Sequence, residues 1–308
     1  MPSFVKAYLG ATPLQSDTAP WIRPTDWLTL PSAATGAVTA LHAVFNSTTN
    51  FCAVKFTTTN GANYSIDWGD GSPVESAASG AVINHNFVWA NAPASSLTSA
   101  GYRQVIVTIT PPTGSSFALA SFSERYTGVT LNAAVVYSTG WLDMNINLPN
   151  LLTGQRLFIG AVQVKNGYLE RVNIASWGAI NSAASMFYNC TALQSINSTE
   201  WNTANLTSMN SMFYQCVMLK TLDGSTWNTA LVNDMSAMVR GCSSLQEIKC
   251  STWNTAAVTT LANFALSCSA LQKIDVSNWN TANLTSLNNA FNACYNLQEL
   301  LIGNWNFS

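Results

Sequence analysis

The sequence predicts a mainly β chain whose second half is an α/β solenoid. Three observations carry that expectation. Trp201, Trp227, Trp253, Trp279 and Trp305 recur every 26 residues. Cys190, Cys216, Cys242, Cys268 and Cys294 keep the same interval, and so do Leu193, Leu219, Leu245, Leu271 and Leu297. Three residue types locked to one period specify equal coils that stack and bury a continuous core between them. Such a stack offers a surface rather than a private cleft, which points to binding or structure more than to catalysis.

Composition narrows the classes. Hydrophobic residues make up 48% of the 308, enough for a sizeable core, but charged residues only 8%, against about 25% in a typical soluble protein. Asn, Ser, Thr and Gly must therefore cover the surface. Low charge gives little protection against association, and a protein packed in an assembly tolerates that best. The net charge is −2 with no basic run, so phosphate-driven nucleic-acid binding is not expected. No stretch approaches the roughly 18 apolar residues of a membrane span, so no membrane insertion is expected. MPSFVKAYLG has one Lys and no apolar core of a secretory leader, which suggests a route to the outside other than secretion.

In chain order, residues 1–43 read as an extended arm, punctuated by Pro2, Pro13, Pro20, Pro24 and Pro31, because proline cannot donate to a helix or sheet ladder. Trp21 and Trp27 lie within it and are candidates for docking onto a neighbouring subunit, the plainer alternative being packing on the chain's own next domain. Residues 44–112 read as β: Phe51 to Thr57, Tyr64 to Trp68 and Val105 to Thr110 are strand-like runs between turn signals. Asp67-Trp68-Gly69-Asp70-Gly71-Ser72 suits a tight turn. Asp67 and Asp70 could hold a cation, or their carboxylates could bond the turn's own backbone. Residues 113–140 read as a linker or extra strands, and 141–308 as the solenoid, with about five 26-residue coils.

DWGDGS, then His85-Asn86-Phe87, then Gly101-Tyr102 leading into VIVTIT, resembles a PKD domain. That resemblance implies an immunoglobulin-like β-sandwich acting as spacer or binding module, without catalysis. The chain departs from the pattern by the insertion Val88 to Ala100 and by Tyr102 following Gly101 directly.

Within one coil, Leu193 and Ile196 suggest a strand, a loop leads to Trp201-Asn202-Thr203, and Leu206, Met209, Met212, Phe213 and Cys216 fall at helical intervals. Strand, Trp loop, helix and return is the logic of a leucine-rich solenoid. Trp201 to Leu219 resembles the leucine-rich repeats of the BspA-like surface-protein group, which implies surface display, adhesion and partner contact. Leu169 to Leu193 spans 24 residues rather than 26, as an atypical capping coil would.

The Asn column (Asn202, Asn228, Asn254, Asn280) is expected to bond the backbone of adjacent coils. The Trp column is expected to pack between coils, or, were its rings exposed, to form a sugar-stacking strip. Cys216, Cys242 and Cys268 read as a column of small buried thiols rather than disulfides, and no CxxC or neighbouring His supports zinc. His42 and His85 are the only histidines, and no GxSxG, HExxH, P-loop or GxGxxG pattern occurs. No enzyme, metal or cofactor is expected. RPTDWL, the PKD-like turn and the repeats together resemble virion surface proteins of tailed bacteriophages. The expectation is a non-enzymatic virion component, a capsid decoration or tail fibre part assembled in the host cytoplasm beside other virion proteins or copies of itself. The alternative is a bacterial cell-surface adhesin for host protein or glycan.

Overall fold

The computed structural model describes residues 21–46, 50–122, 124, 137–151, 157–160, 164–303 and 305. The arm prolines Pro2, Pro13 and Pro20 and the N-terminal MPSFVKAYLG lie outside them. The strands of the first half are β1 (Val38–Val44), β2 (Phe51–Thr58), β3 (Tyr64–Asp67), β4 (Glu75–Ala77), β5 (Val82–Asn86), β6 (Arg103–Thr110), β7 (Phe117–Ser121) and β8 (Tyr137–Ser138). Those of the second are β9 (Trp141–Asn147), β10 (Leu157–Phe158), β11 (Val164–Lys165), β12 (Arg171–Ser176), β13 (Ser195–Ile196), β14 (Thr221–Asp223), β15 (Glu247–Lys249), β16 (Lys273–Asp275) and β17 (Glu299–Leu301).

One sheet runs β13-β12-β9-β1-β6-β3-β4 and a second β10-β7-β2-β5. They share a core in which Tyr64 of β3 lies 5.7 Å from Phe56 of β2 and 5.5 Å from Phe117 of β7, ring to ring. β1 crosses the expected end of the arm at residue 43 and is a central strand, antiparallel to both β6 and β9. Its sequence explains this. Val38, Ala40 and Val44 join the main core, while Leu41 and Ala43 join a smaller cluster with Trp27, Leu30, Tyr102 and Leu142. A strand apolar on both faces belongs inside a sheet. β9 is antiparallel to β1 on one edge and parallel to β12 on the other, and β12 pairs in parallel with β13, where this sheet ends; β14 to β17 form a separate sheet.

The second half is a β-solenoid of about six turns. β14 to β17 pair in parallel with a register of one repeat, Thr221 with Glu247, Lys273 and Glu299. Bridges at Ser182, Ser208, Asp234, Thr260 and Ser286 form a second ladder.

The expected helix is corrected. Leu206, Met209, Met212, Phe213 and Cys216 are all buried, as the amphipathic pattern requires, but the backbone is a chain of tight turns. Alternate N–H groups are divided between two tasks. Met209, Ser211, Phe213 and Gln215 donate to the carbonyls of Asp234, Ser236, Met238 and Arg240 in the next coil, at 2.8–2.9 Å. Met212, Tyr214 and Cys216 donate three residues back along their own coil, at 3.1–3.2 Å. A helix would keep every N–H to itself. Ser211 and Gln215 take φ of 52° and 60°, and Ala237 (52°) and Gly241 (76°) repeat them one coil on. Consecutive turns that each advance about three residues imitate helical spacing.

In the first half, burial holds His42 well below the usual histidine range, to about 3, with a contribution from His85. Its ring stacks on Phe87 at 4.3 Å, and its Nε2 accepts the Gly140 N–H at 3.1 Å, which only the neutral ring can do.

Two outcomes follow. Ala237→Gly removes left-handed strain and stabilises the chain, by up to about 1 kcal/mol, where a helix would lose about as much; urea denaturation reads the sign. As pH falls from 6.5 the unfolded chain takes up a proton at His42 that the folded chain refuses until about pH 3, so stability falls with pH across that window. Between pH 6.5 and 4.5 the parent chain loses about 2 kcal/mol more than His42→Asn, and equal slopes in parallel urea titrations would refute the assignment.

Candidate functional site

The periodic residues converge inside the stack. The rings of Trp201, Trp227, Trp253, Trp279 and Trp305 lie nearly parallel with successive centroids 5.7, 5.6, 5.9 and 6.3 Å apart. Trp201, Trp227, Trp253 and Trp279 each have a neighbouring ring on both faces and are 2–5% exposed. These four rings leave no face for a pyranose and pack between coils, so they do not form a sugar-stacking strip. The indole N–H groups are also satisfied across coils. Trp227, Trp253, Trp279 and Trp305 donate to the carbonyls of Ser198, Gly224, Cys250 and Val276.

The thiols follow the same rule. Cys216, Cys242, Cys268 and Cys294 donate to the carbonyls of Phe187, Phe213, Val239 and Ala265, at 3.0–3.2 Å. All seven cysteines are free. Burial pushes the Cys242 thiol up to about 12 and Cys216 and Cys268 well above the ordinary range. A thiol held protonated is a poor nucleophile and a poor metal ligand.

The Asn column does a different job from the one expected. Asn202, Asn228, Asn254 and Asn280 are exposed, and each side-chain oxygen accepts the N–H two residues ahead, from Ala204, Ala230, Ala256 and Ala282. These are local turn bonds. The adjacent coils are tied by the threonines that follow. Thr203, Thr229 and Thr255 are buried. The Thr229 and Thr255 hydroxyls donate to the Asn254 and Asn280 carbonyls at 3.0 Å, and Thr203 Oγ1 accepts the Asn228 N–H at 2.8 Å. The reason is geometric: an Asn side chain is short and pre-shaped for its own turn, while the Thr points inward, where a hydroxyl needs a partner. The signal was present in the sequence as the Thr of each Trp-Asn-Thr.

Trp21 and Trp27, expected as partner-docking residues, pack on their own chain. Trp27 is buried and donates from Nε1 to the Tyr102 hydroxyl at 2.8 Å. Trp21 Nε1 donates to Glu170 at 2.9 Å. Residues 21–31 form a strap over the outer face of the first sheet. Asp26 accepts from Ser99, and Gln104 bonds Asp26 and Leu28. Beneath the strap, buried Asp143 of β9 pairs with Arg23 and, at 3.0 Å, with Arg171 of β12. Both indole N–H groups find acceptors on this sheet, which is why the tryptophans turn inward.

Asp67 and Asp70 serve the turn. Asp67 accepts the Gly69 N–H, and Asp70 accepts from Ser72 and from His85 Nε2 at 2.9 Å. Hydrogen bonds from Ser72 and His85 hold the Asp70 carboxyl below the usual range against the opposing effect of burial, the largest contribution. Gly69 (φ 71°) is required there, since a Cβ would stand 2.2 Å from the Ile106 carbonyl oxygen. Among the described residues no group of three or more His, Cys, Asp or Glu could hold a metal ion, and no helix is long and apolar enough to cross a membrane.

The outward face of the solenoid sheet carries alternating charge. Asp223 pairs with Lys249 at 2.8 Å and Lys273 with Glu299 at 2.6 Å. These pairs are exposed and add little stability, but they fix which charge faces which from coil to coil.

Inward columns, a polar exterior and a parallel one-repeat register define the class: a β-solenoid repeat protein. Residues 155–272 and 220–308 match the family described as "Mycoplasma protein of unknown function, DUF285", together covering 155–308, half of the chain. The chain belongs to that family. No curated protein and no solved structure matches it.

The division of labour in Trp-Asn-Thr is measurable. Thr229→Val lowers unfolding free energy by about 1–3 kcal/mol, because it strands the Asn254 carbonyl and the buried site. Asn228→Ala, exposed and local, costs under about 1 kcal/mol. Chemical denaturation of the two variants checks the order, and a larger cost for Asn228→Ala would reverse the assignment.

Proposed function

We propose that this chain is a non-enzymatic structural protein displayed on the surface of an assembly, and that the assembly is the virion of a tailed bacteriophage, as a capsid decoration or tail fibre component. The observation that carries the reading is where the periodic residues go. The Trp, Thr and Cys columns are used within the stack, and most of the outer surface is Asn, Ser, Thr and charged residues, with Met218, Leu231 and Tyr295 as exposed apolar exceptions. Catalysis needs titratable groups that converge on an open site with shifted proton affinities. Here His42 is sealed in the core, Asp143 is held between two arginines, and the perturbed thiols are buried. A rigid rod with a plain polar surface suits presentation.

The two packed sheets ahead of the solenoid are proposed to be a PKD-like, immunoglobulin-like unit acting as spacer. In support, the Asp67–Ser72 turn is tied to His85 through Asp70, and the Trp68 ring stacks on His85 at 4.3 Å. The bond joins the DWGDGS and His-x-Phe elements of the resemblance. RPTDWL supports the phage reading by resemblance and serves as the strap that fixes spacer to solenoid.

A second reading, a bacterial surface adhesin for host protein or glycan, is favoured by the family's description, which names a bacterium. Quantitative mass spectrometry separates the two. Particles purified from the encoding strain are expected to contain the chain, in many copies for a decoration or a handful for a tail part. Its absence from particles, together with release by proteolytic shaving of intact cells, would replace the virion reading with the adhesin; absence from both would remove each.

A further inference from the structure

Two residues before the cysteine of each coil stand Tyr188, Tyr214, Arg240, Leu266 and Asn292. Two of the chain's nine tyrosines therefore occupy equivalent places in adjacent coils. Their rings lie face to face, with centroids 4.3 Å apart and planes within 6°. That is closer than any step of the tryptophan column from Trp201 to Trp305, where the spacing is 5.6–6.3 Å. The backbone fixes the pair. The Phe187 and Asn189 N–H groups, on either side of Tyr188, donate to the Met212 and Tyr214 carbonyls at 2.8 Å. Further in, Phe187 stacks on Phe213 at 5.1 Å. From the next coil the Arg240 guanidinium stands over the Tyr214 ring at 5.4 Å. Tyr188 also shares a hydrogen bond with the Tyr214 side chain. The hydroxyl is the one polar atom of each ring, so the two hydroxyls lie on the same edge of the stack. The ring carbons that flank them then face one another. Both tyrosines are partly exposed, whereas Cys190 and Cys216 are buried.

We propose that Tyr188 and Tyr214 form an oxidative cross-linking site, at which hydrogen peroxide activated by a haem peroxidase joins adjacent coils through a dityrosine bond. Each phenol gives up one electron and its hydroxyl proton. The two radicals couple carbon to carbon, at ring positions beside the oxygens. Each joined carbon then releases its hydrogen, each oxygen regains one, and both rings are phenols again. The two electrons and two protons removed overall reduce one hydrogen peroxide to two waters. Proximity selects the product: a radical on either ring already has its partner in contact, so coupling within the chain outruns coupling between chains. The thiols do not compete, because burial withholds them and the Cys216 thiol donates to the Phe187 carbonyl. The site occurs once, since Arg240 follows Tyr214 in the column and ends the run of phenols. The bond closes a loop of one repeat and removes conformations from the unfolded chain, as a disulfide does. This modification does not depend on whether the chain is displayed on a virion or on a cell.

The test treats the dilute full chain with hydrogen peroxide and a haem peroxidase. Tyr295, 84% exposed, is the internal control, and oxidant is raised until it is consumed. The monomeric fraction is then cut after Arg171, Glu200 and Lys220, which places Tyr188 in peptide 172–200 and Tyr214 in peptide 201–220. Mass spectrometry is expected to find these two peptides joined, lighter than their sum by two hydrogen atoms, with the blue fluorescence of dityrosine. Tyr188→Phe and Tyr214→Phe, which keep the stacked rings, each lose the joined product. Consumption of Tyr295 without the joined pair would overturn the proposal. The same product from either Phe variant, or its confinement to dimeric chains, would do so as well.

Discussion

The second half of this molecule depends on how each coil spends its backbone donors. Because alternate N–H groups leave the coil and meet the next one, the coils are spaced by main-chain hydrogen bonds, and no side chain sets that distance. The parallel indoles, the threonine hydroxyls and the thiols then fall into columns as a consequence. A side chain that occurs once per coil meets its own kind or the neighbouring backbone in every coil. That is why the same carbonyl offset serves Trp227, Trp253, Trp279 and Trp305 alike, and why a polar atom as weak as a thiol is satisfied deep in the core.

The first half joins the second through β9 in one sheet and through the β7–β10 pair in the other. β9 turns an antiparallel neighbour on one side into a parallel neighbour on the other, and it buries Asp143 at that seam. Taking a carboxylate from water is costly unless charge partners and hydrogen bonds compensate. Arg171 comes from the solenoid and Arg23 from the strap, so the compensation requires all three segments to be in place. The strap thus acts as a cross-brace, with Trp27 and Tyr102 as its apolar contact and Asp26 with Ser99 at its rim.

The repeat and its inward columns were legible in the sequence because a fixed period leaves few architectures. The helix was the error, and the reason is physical. Hydrophobic spacing of three and four residues reports which side chains face inward, and a run of tight turns meets that condition as well as a helix does. Propensity held the missing information. Between Leu206 and Cys216 the positions that are not buried are Thr207, Ser208, Asn210, Ser211, Tyr214 and Gln215, of which Ser208, Asn210 and Ser211 favour turns and local bonds over helix. The two-sided apolar run of β1 was likewise readable as an interior strand, but the prolines before it drew the boundary too late. The intrachain packing of Trp21 and Trp27, given only as the plainer alternative to docking, was not legible locally: their acceptors, Glu170 and Tyr102, lie 149 and 75 residues away in the chain.

One feature of the stack reaches beyond its mechanics. Every inter-coil bond spans a single period, and no coil needs to recognise any coil but its neighbours. A gene for such a chain can gain or lose whole units by unequal recombination and still encode a continuous rod. The length of the solenoid is then open to selection independently of surface chemistry, and closely related variants of different length can share the same exterior.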